Sequence, residues 1–179
     1  MQTIQPVRIE DASGPTRRLL ETLKPEHGDI SNMLKTMAQS SGTLEGYLYF
    51  VRALEQTSLD PVLSEQIALT VAQADECDYS LAFHTARARK LGLEEDAILA
   101  TREGRVANKK IETVLKFARD LARRNGDYTV TDLRKAGYGD ADIVNIIACV
   151  GLNSFANLFN LVAKTDVDFP KAGSAVKAA

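Results

Sequence analysis

Cysteine is scarce in this chain: Cys77 and Cys149 are the only two in 179 residues. Distant thiols in a reducing compartment are more often free than bridged, which argues against a disulfide framework. Long apolar runs are missing too. No stretch approaches the ~20 apolar residues of a spanning helix. Residues Met1 to Glu10 lack the basic region and apolar core of a secretory signal, so the expected location is the cytoplasm and no membrane partner is expected. There is no block of charge of one sign. The net charge is −2 and the pI about 5.7, with acids and bases interspersed, which argues against a nucleic-acid partner. A small neutral or acidic ligand remains compatible. No run of five or more residues alternates as a half-buried strand does, and there is no internal repeat or low-complexity block.

What is present is helical periodicity along nearly the whole length. With 45% hydrophobic and 26% charged residues, the chain is long enough to bury a core of its own. We read residues 1–179 as one all-α domain. The expected helices run from about Thr16 to Leu23, ending before a loop at Pro25 to Asp29, and then from Ile30 to Gln39 and from Leu44 to Thr57. A helix from Pro61 to Ala74 has Asp60 as its cap and Pro61 in its first turn. It is apolar on two sides and belongs in the middle of the bundle. A polar break at Asp75-Glu76 then leads to a helix from Cys77 to Leu91, closed by Gly92, and the two form a hairpin. Further helices are expected from Glu94 to Arg102, from Ala107 to Arg124, from Thr129 to Ala136 and from Asp140 to Ala163. From about Asp166 the chain is expected to be an extended tail, disordered or laid on a neighbouring subunit.

The hairpin carries the candidate chemistry. At 100° per residue from Cys77, Ser80, Leu81, His84, Ala88 and Leu91 lie within about 60° of one line, so His84 faces the core. Glu65 lies on an inward side of the preceding helix, where a carboxylate is costly unless it is protonated, paired or hydrated. Counted from the turn at 1.5 Å per residue, Glu65 stands ~15 Å along its helix and His84 ~12–13 Å along the other, so the two can meet. Ser80 is one turn from His84. Cys77 is two turns away, roughly 10 Å in rise, and needs a water to reach the histidine. The spacing describes a chain Glu65, His84, Ser80, with Cys77 just beyond its end.

These residues carry a resemblance. Glu65, twelve residues before Cys77, followed by Glu76-Cys77-Asp78-Tyr79-Ser80-Leu81-Ala82-Phe83-His84, is similar to the core of the alkylhydroperoxidase AhpD / carboxymuconolactone decarboxylase superfamily. Its pattern is a glutamate, eleven residues, C-x-x-C, three residues and a histidine. Glu65 resembles the relay glutamate, Cys77 the first cysteine and His84 the relay histidine. Ser80 stands where the family has its second cysteine, and a serine cannot form the disulfide. The helix beginning Leu44-Glu45-Gly46-Tyr47, together with Asn157, Asn160, Ala163, Thr165 and Asp168-Phe169-Pro170, extends the likeness over roughly Leu44 to Pro170.

The resemblance implies a multi-helix bundle, a trimer or hexamer, a small-molecule substrate, no cofactor and no metal. Three functions follow. The first is an antioxidant peroxidase in which Cys77 alone, helped through water by His84 and Glu65, reduces a hydroperoxide and is restored by an external thiol. The second is a cofactor-free lyase or decarboxylase in which His84 and Glu65 move protons on a small carbonyl or lactone acid. The third is a non-catalytic oligomeric subunit. A helix start lowers a thiol's pKa, which favours the first. Glu65, Ser80 and His84 as an acyl-transfer triad would need an oxyanion hole that the sequence does not supply. Cys77, six residues and His84 on one helix is no common zinc spacing. Cys149 reads as a packed core residue, and His27 as a solvated loop residue.

Overall fold

The computed structural model describes residues 2–27, 29–126 and 128–172. Among them no strand occurs. A 3-10 turn at Ile9–Asp11, absent from the sequence reading, precedes α1 (Gly14–His27), α2 (Asn32–Met37), α3 (Ser41–Glu55), α4 (Pro61–Ala74), α5 (Asp78–Lys90), α6 (Glu95–Arg102), α7 (Lys109–Ala122), α8 (Thr131–Lys135) and α9 (Asp140–Ala163). Two boundaries move for identifiable reasons. α1 continues through Pro25 to His27, since a proline near a helix end removes only one ladder bond. α3 starts at Ser41 because Ser40 caps it, its Oγ accepting from the Thr43 N–H at 3.3 Å. Gly28, the His27 side chain and residues 173–179 lie outside the described residues.

α4 is the axle of the fold. Asp60 Oδ1 accepts from the Leu63 N–H at 2.9 Å and Pro61 occupies the first turn, so the start is fixed by the cap that the sequence offers. From Leu63 onward nearly every residue up to Ala72 is buried, Glu65 included, and α5, α6, α7 and α9 all pack on it. The main core joins Leu63, Ile67 and Val71 of α4 to Val114, Leu115 and Ala118 of α7 and to Ile143, Ile146 and Cys149 of α9. Side chains of this kind contribute roughly 1.5–3 kcal/mol each when fully buried. A second cluster, including Leu20, Leu23, Met37 and Leu44, ties α1 and α2 to α3.

The link from α4 to α5 decides where Cys77 sits. The Cys77 N–H bonds to the Ala72 carbonyl at 3.0 Å and the Glu76 N–H to the Gln73 carbonyl at 3.3 Å, which is the paired-bond Schellman ending of a helix. That ending requires a left-handed residue, and here it is Glu76, with φ 53°, rather than glycine. The chain therefore reverses in two residues and delivers Cys77 as the N-cap of α5, with φ −93° and ψ 97°.

α9 corrects the expectation about apolar length. It is long and apolar enough, by length and composition, for a membrane span. A count of apolar residues misses this because Asn153, Asn157 and Asn160 interrupt the run. Half of its apolar stretch is buried inside the protein, with those three asparagines on the buried side, as in a core helix. Lys164, left-handed at φ 49°, ends it. Residues 166–172 carry no secondary structure, yet the segment as far as Phe169 lies on this chain's own α2 and α5. Asp168 Oδ2 accepts from the Asn32 N–H at 2.6 Å, and the Phe169 ring meets those of Tyr79 and Phe83. An apolar ring and an N-terminal carboxylate partner give this segment a place that its composition alone does not suggest.

Candidate functional site

The hairpin brings the four candidate residues into two units. At the turn end, Cys77 is 1% exposed and its thiol donates to Ser80 Oγ at 3.3 Å. Asn160, reaching in from α9, also donates to Ser80 Oγ, at 3.5 Å, and its Nδ2 stands 3.2 Å from Met33 Sδ. The Asn160 Oδ1 is buried without a protein partner. Below them Asn157 Nδ2 donates to Asp75 Oδ2 at 2.8 Å. Met33, Cys77, Tyr79 and Ala156 form one buried cluster, with Tyr47, Phe159 and Phe169 packed against it.

Burial pushes the Cys77 thiol above its ordinary pKa. The Ser80 hydroxyl and the Ser80 and Tyr79 amides oppose the shift, the Asp75 charge adds to it, and burial wins. The amides act on the sulfur through space without forming a capping hydrogen bond. This corrects the expectation of a thiolate favoured by the helix start. A weak N-terminal field does not compensate a sulfur cut off from water.

Two turns further on, His84 Nδ1 lies 2.5 Å from Glu65 Oε1, both side chains being buried. The other oxygen of that carboxylate, Oε2, is held by Arg87 Nε at 3.1 Å. Arg87 is half exposed and its guanidinium lies over the Phe83 ring, 5.6 Å from the centroid. Phe83 in turn meets the His84 ring at 4.9 Å. Tyr47 borders the same group: burial pushes its phenol up to about 12, against the pull of the Arg87 charge.

The two units do not join as expected. Among the described residues Ser80 makes no hydrogen bond to His84. Its oxygen faces Cys77 and Asn160 instead, because α9 presents an amide on the turn side of Ser80. The Glu65–His84–Ser80 chain is therefore replaced by a Cys77–Ser80–Asn160 group and an Arg87–Glu65–His84 group on successive turns of α5, and the acyl-transfer triad loses its central link. Cys149 lies in the core beside Ser64, 3.5 Å from its Oγ, and burial pushes its thiol up to about 11.

The sequence alone does not single out Arg87 although its signal is visible, since a residue three positions after His84 faces the same carboxylate. Asn160 stands out in the sequence only as part of a resemblance. Nothing in local spacing places an α9 residue against α5.

The model of the carboxymuconolactone decarboxylase family matches residues 42–124, a stretch that holds α4 and α5. No curated protein sequence matches the chain. Among solved structures the chain is similar to an uncharacterized peroxidase-related protein from Silicibacter sp. TM1040, at 21% identity, with a TM-score of 0.79 over 97% of this chain and 96% of that one. It is similar as well to the alkylhydroperoxidase AhpD core of an uncharacterized peroxidase-related protein from Ralstonia eutropha JMP134, at 15% identity, with a TM-score of 0.81 over 93% and 92%. A third likeness is to a cysteine-to-alanine variant of the debrominase Bmp8 in complex with 2,3,4-tribromopyrrole, at 15% identity, with a TM-score of 0.79 over 94% and 92%. At these identities the likeness is one of fold.

Proposed function

Because residues 42–124 belong to the carboxymuconolactone decarboxylase family and the chain takes the all-α AhpD-like fold, we propose that it is a single-thiol oxidoreductase that reduces small organic hydroperoxides at Cys77. One observation carries the reading: the Cys77 sulfur lies against the Ser80 hydroxyl on the helix whose next turn bears the Glu65-bound His84. A fold shared by peroxidase-related proteins and a debrominase does not choose the electrophile. The choice rests on these residues.

In the reaction the Cys77 proton passes through water to His84, whose Nδ1 is held by Glu65. The sulfur attacks the distal oxygen of the hydroperoxide, and the S–O bond forms as the O–O bond breaks. The leaving alkoxide takes the proton and departs as an alcohol, so that sulfur is oxidised by two electrons to a sulfenic acid. Two molecules of an external thiol restore it. The first forms a mixed disulfide with loss of water, and the second releases the free Cys77 thiol and a disulfide. Ser80 takes over as a donor to the thiolate by rotating its hydroxyl, while Asn160 keeps its N–H on the Ser80 oxygen. The raised thiol pKa makes the base necessary, and the thiolate once formed is correspondingly more nucleophilic.

A second reading is favoured by the Arg87–Glu65–His84 group, which is complete without the thiol: a cofactor-free lyase in which His84 moves a proton on a carbonyl acid. Turnover of hydroperoxide with a small thiol as reductant separates the two. The peroxidase reading expects Cys77→Ala to abolish turnover and His84→Ala to slow it roughly 10²-fold or more. Loss of turnover on changing Ser80 or His84 but not Cys77 would sink it. The apolar side chains that α9 and α3 expose, among them Val144, Leu158, Val162 and Tyr49, support assembly into a homo-oligomer.

A further inference from the structure

We propose that residues 166–170 form a lid over the buried face of α5 that carries Cys77 and His84, and that the ring of Phe169 stands where a flat apolar or aromatic group of the substrate binds. The inference deepens the peroxidase reading and rests on it for which groups react.

This face is closed in the structure. Cys77 is 1% exposed and His84 9%, so an organic substrate reaches neither without a movement of the protein. One ring packs on the neighbours of both. Phe169 meets Tyr79 at 5.7 Å with planes 85° apart and Phe83 at 5.1 Å with planes 62° apart. Phe83 lies against His84, and Phe169 also packs on the cluster that contains Cys77.

The fastenings of the segment are few and converge. After the Thr165 N–H bonds to the Asn160 carbonyl at 3.1 Å, residues 166–172 make no backbone–backbone hydrogen bond among the described residues. Asn32 is the latch: its N–H donates to Asp168 Oδ2 at 2.6 Å and its Nδ2 to the Asp166 carbonyl at 3.0 Å. The Asp166 N–H adds one bond to Gln2 Oε1 at 3.2 Å. A segment held by a few side-chain bonds, by the Tyr79 hydroxyl beside Asp168 and by one ring opens at far lower cost than the helices beneath it.

What opening leaves behind defines the ligand. Withdrawal of Phe169 exposes a slot one ring wide between Tyr79 and Phe83, beside His84. A flat ring recovers there the edge-to-face contacts that Phe169 makes. Hydrogen peroxide recovers none of them, so aryl hydroperoxides are the preferred class.

Modification of Cys77 in a Cys149→Ala background tests this without relying on turnover. Phe169→Ala is expected to speed modification roughly tenfold, in keeping with the loss of two aromatic pairs, and to speed N-phenylmaleimide more than N-ethylmaleimide. Asp168→Asn, which keeps the ring and weakens the latch, gives a smaller rise and decides the matter if Phe169→Ala does not fold. Unchanged rates in the folded variants overturn the proposal. So does a rise that follows global unfolding, seen as the full urea dependence of the unfolding transition. Faster modification in proteins that turn over neither cumene hydroperoxide nor hydrogen peroxide retires the peroxidase reading and leaves the lid standing.

Discussion

Glu65 grips His84 through Nδ1 at 2.5 Å while Arg87 occupies the other carboxylate oxygen, so the imidazole can turn only its Nε2 toward the site. An ionised carboxylate only accepts, which places the proton of neutral His84 on Nδ1 and leaves Nε2 as the basic nitrogen. Glu65 is thus a positioning residue for either chemistry proposed above.

Glu65→Gln should fold and lose activity. The amide still accepts from Nδ1–H, but its NH₂ faces Arg87 and the charge is gone. Urea unfolding is expected to show a loss of about 1–3 kcal/mol, and turnover a loss of roughly 10²-fold. Combined with His84→Ala, the two changes should fall short of additivity by about 1 kcal/mol or more. Full additivity would mean that the pair is not coupled.

The buried thiols predict weakness at alkaline pH. Burial pushes the Cys149 thiol from its ordinary value of 9.0 up to about 11, so the folded state binds its proton more tightly. A group raised in this way contributes stability that is fully present below the unfolded pKa and lost as pH climbs through the folded one. That difference corresponds to about 2–3 kcal/mol. Unfolding free energy should therefore fall by that order between pH 9 and 11, with Cys77, raised by burial, adding to the loss. In Cys149→Ala the fall should shrink. An identical pH profile in that variant would show that the thiol is not the source.

Much of this architecture is legible because it is local. Asp60-Pro61 announces the start of α4, and Gly92, left-handed at φ 86°, follows the end of α5. The spacing from Glu65 to His84 follows from rise per residue in an antiparallel pair. What escapes the sequence is set by contacts between distant segments. Asn160 reaches Ser80 across 80 residues, and burial around Cys77, contributed by Met33 and Ala156, reverses the pKa shift that a helix start suggests. The segment around Phe169 reads as a tail by composition, and the rings of Tyr79 and Phe83 together with the Asn32 hydrogen bonds give it a fixed place.

Glu76 tests the turn that positions Cys77. A left-handed conformation costs an ordinary residue roughly 1–2 kcal/mol, and glycine removes that cost while losing more entropy on folding. Glu76→Gly should therefore stabilise the protein by about 0.5–1 kcal/mol, raising Tm by roughly 1–4 °C, with the Cys77 modification rate unchanged. Destabilisation would mean that the Glu76 side chain makes a contribution beyond its backbone angle.

Asn160 gives the sharpest test of the sulfur's surroundings. Its amide donates to Ser80, which lets the serine hydroxyl turn toward a thiolate. Asn160→Asp keeps the shape but replaces the donor with an acceptor and adds negative charge beside Cys77, and like charge disfavours the thiolate. Alkylation of Cys77 at a fixed mildly alkaline pH should slow roughly tenfold, one pKa unit's worth. Asn160→Ala removes the donor without adding charge and should slow it less. Should both variants react at the same rate, charge beside the sulfur would not govern its reactivity, and Asn160 would be only packing between α9 and the hairpin.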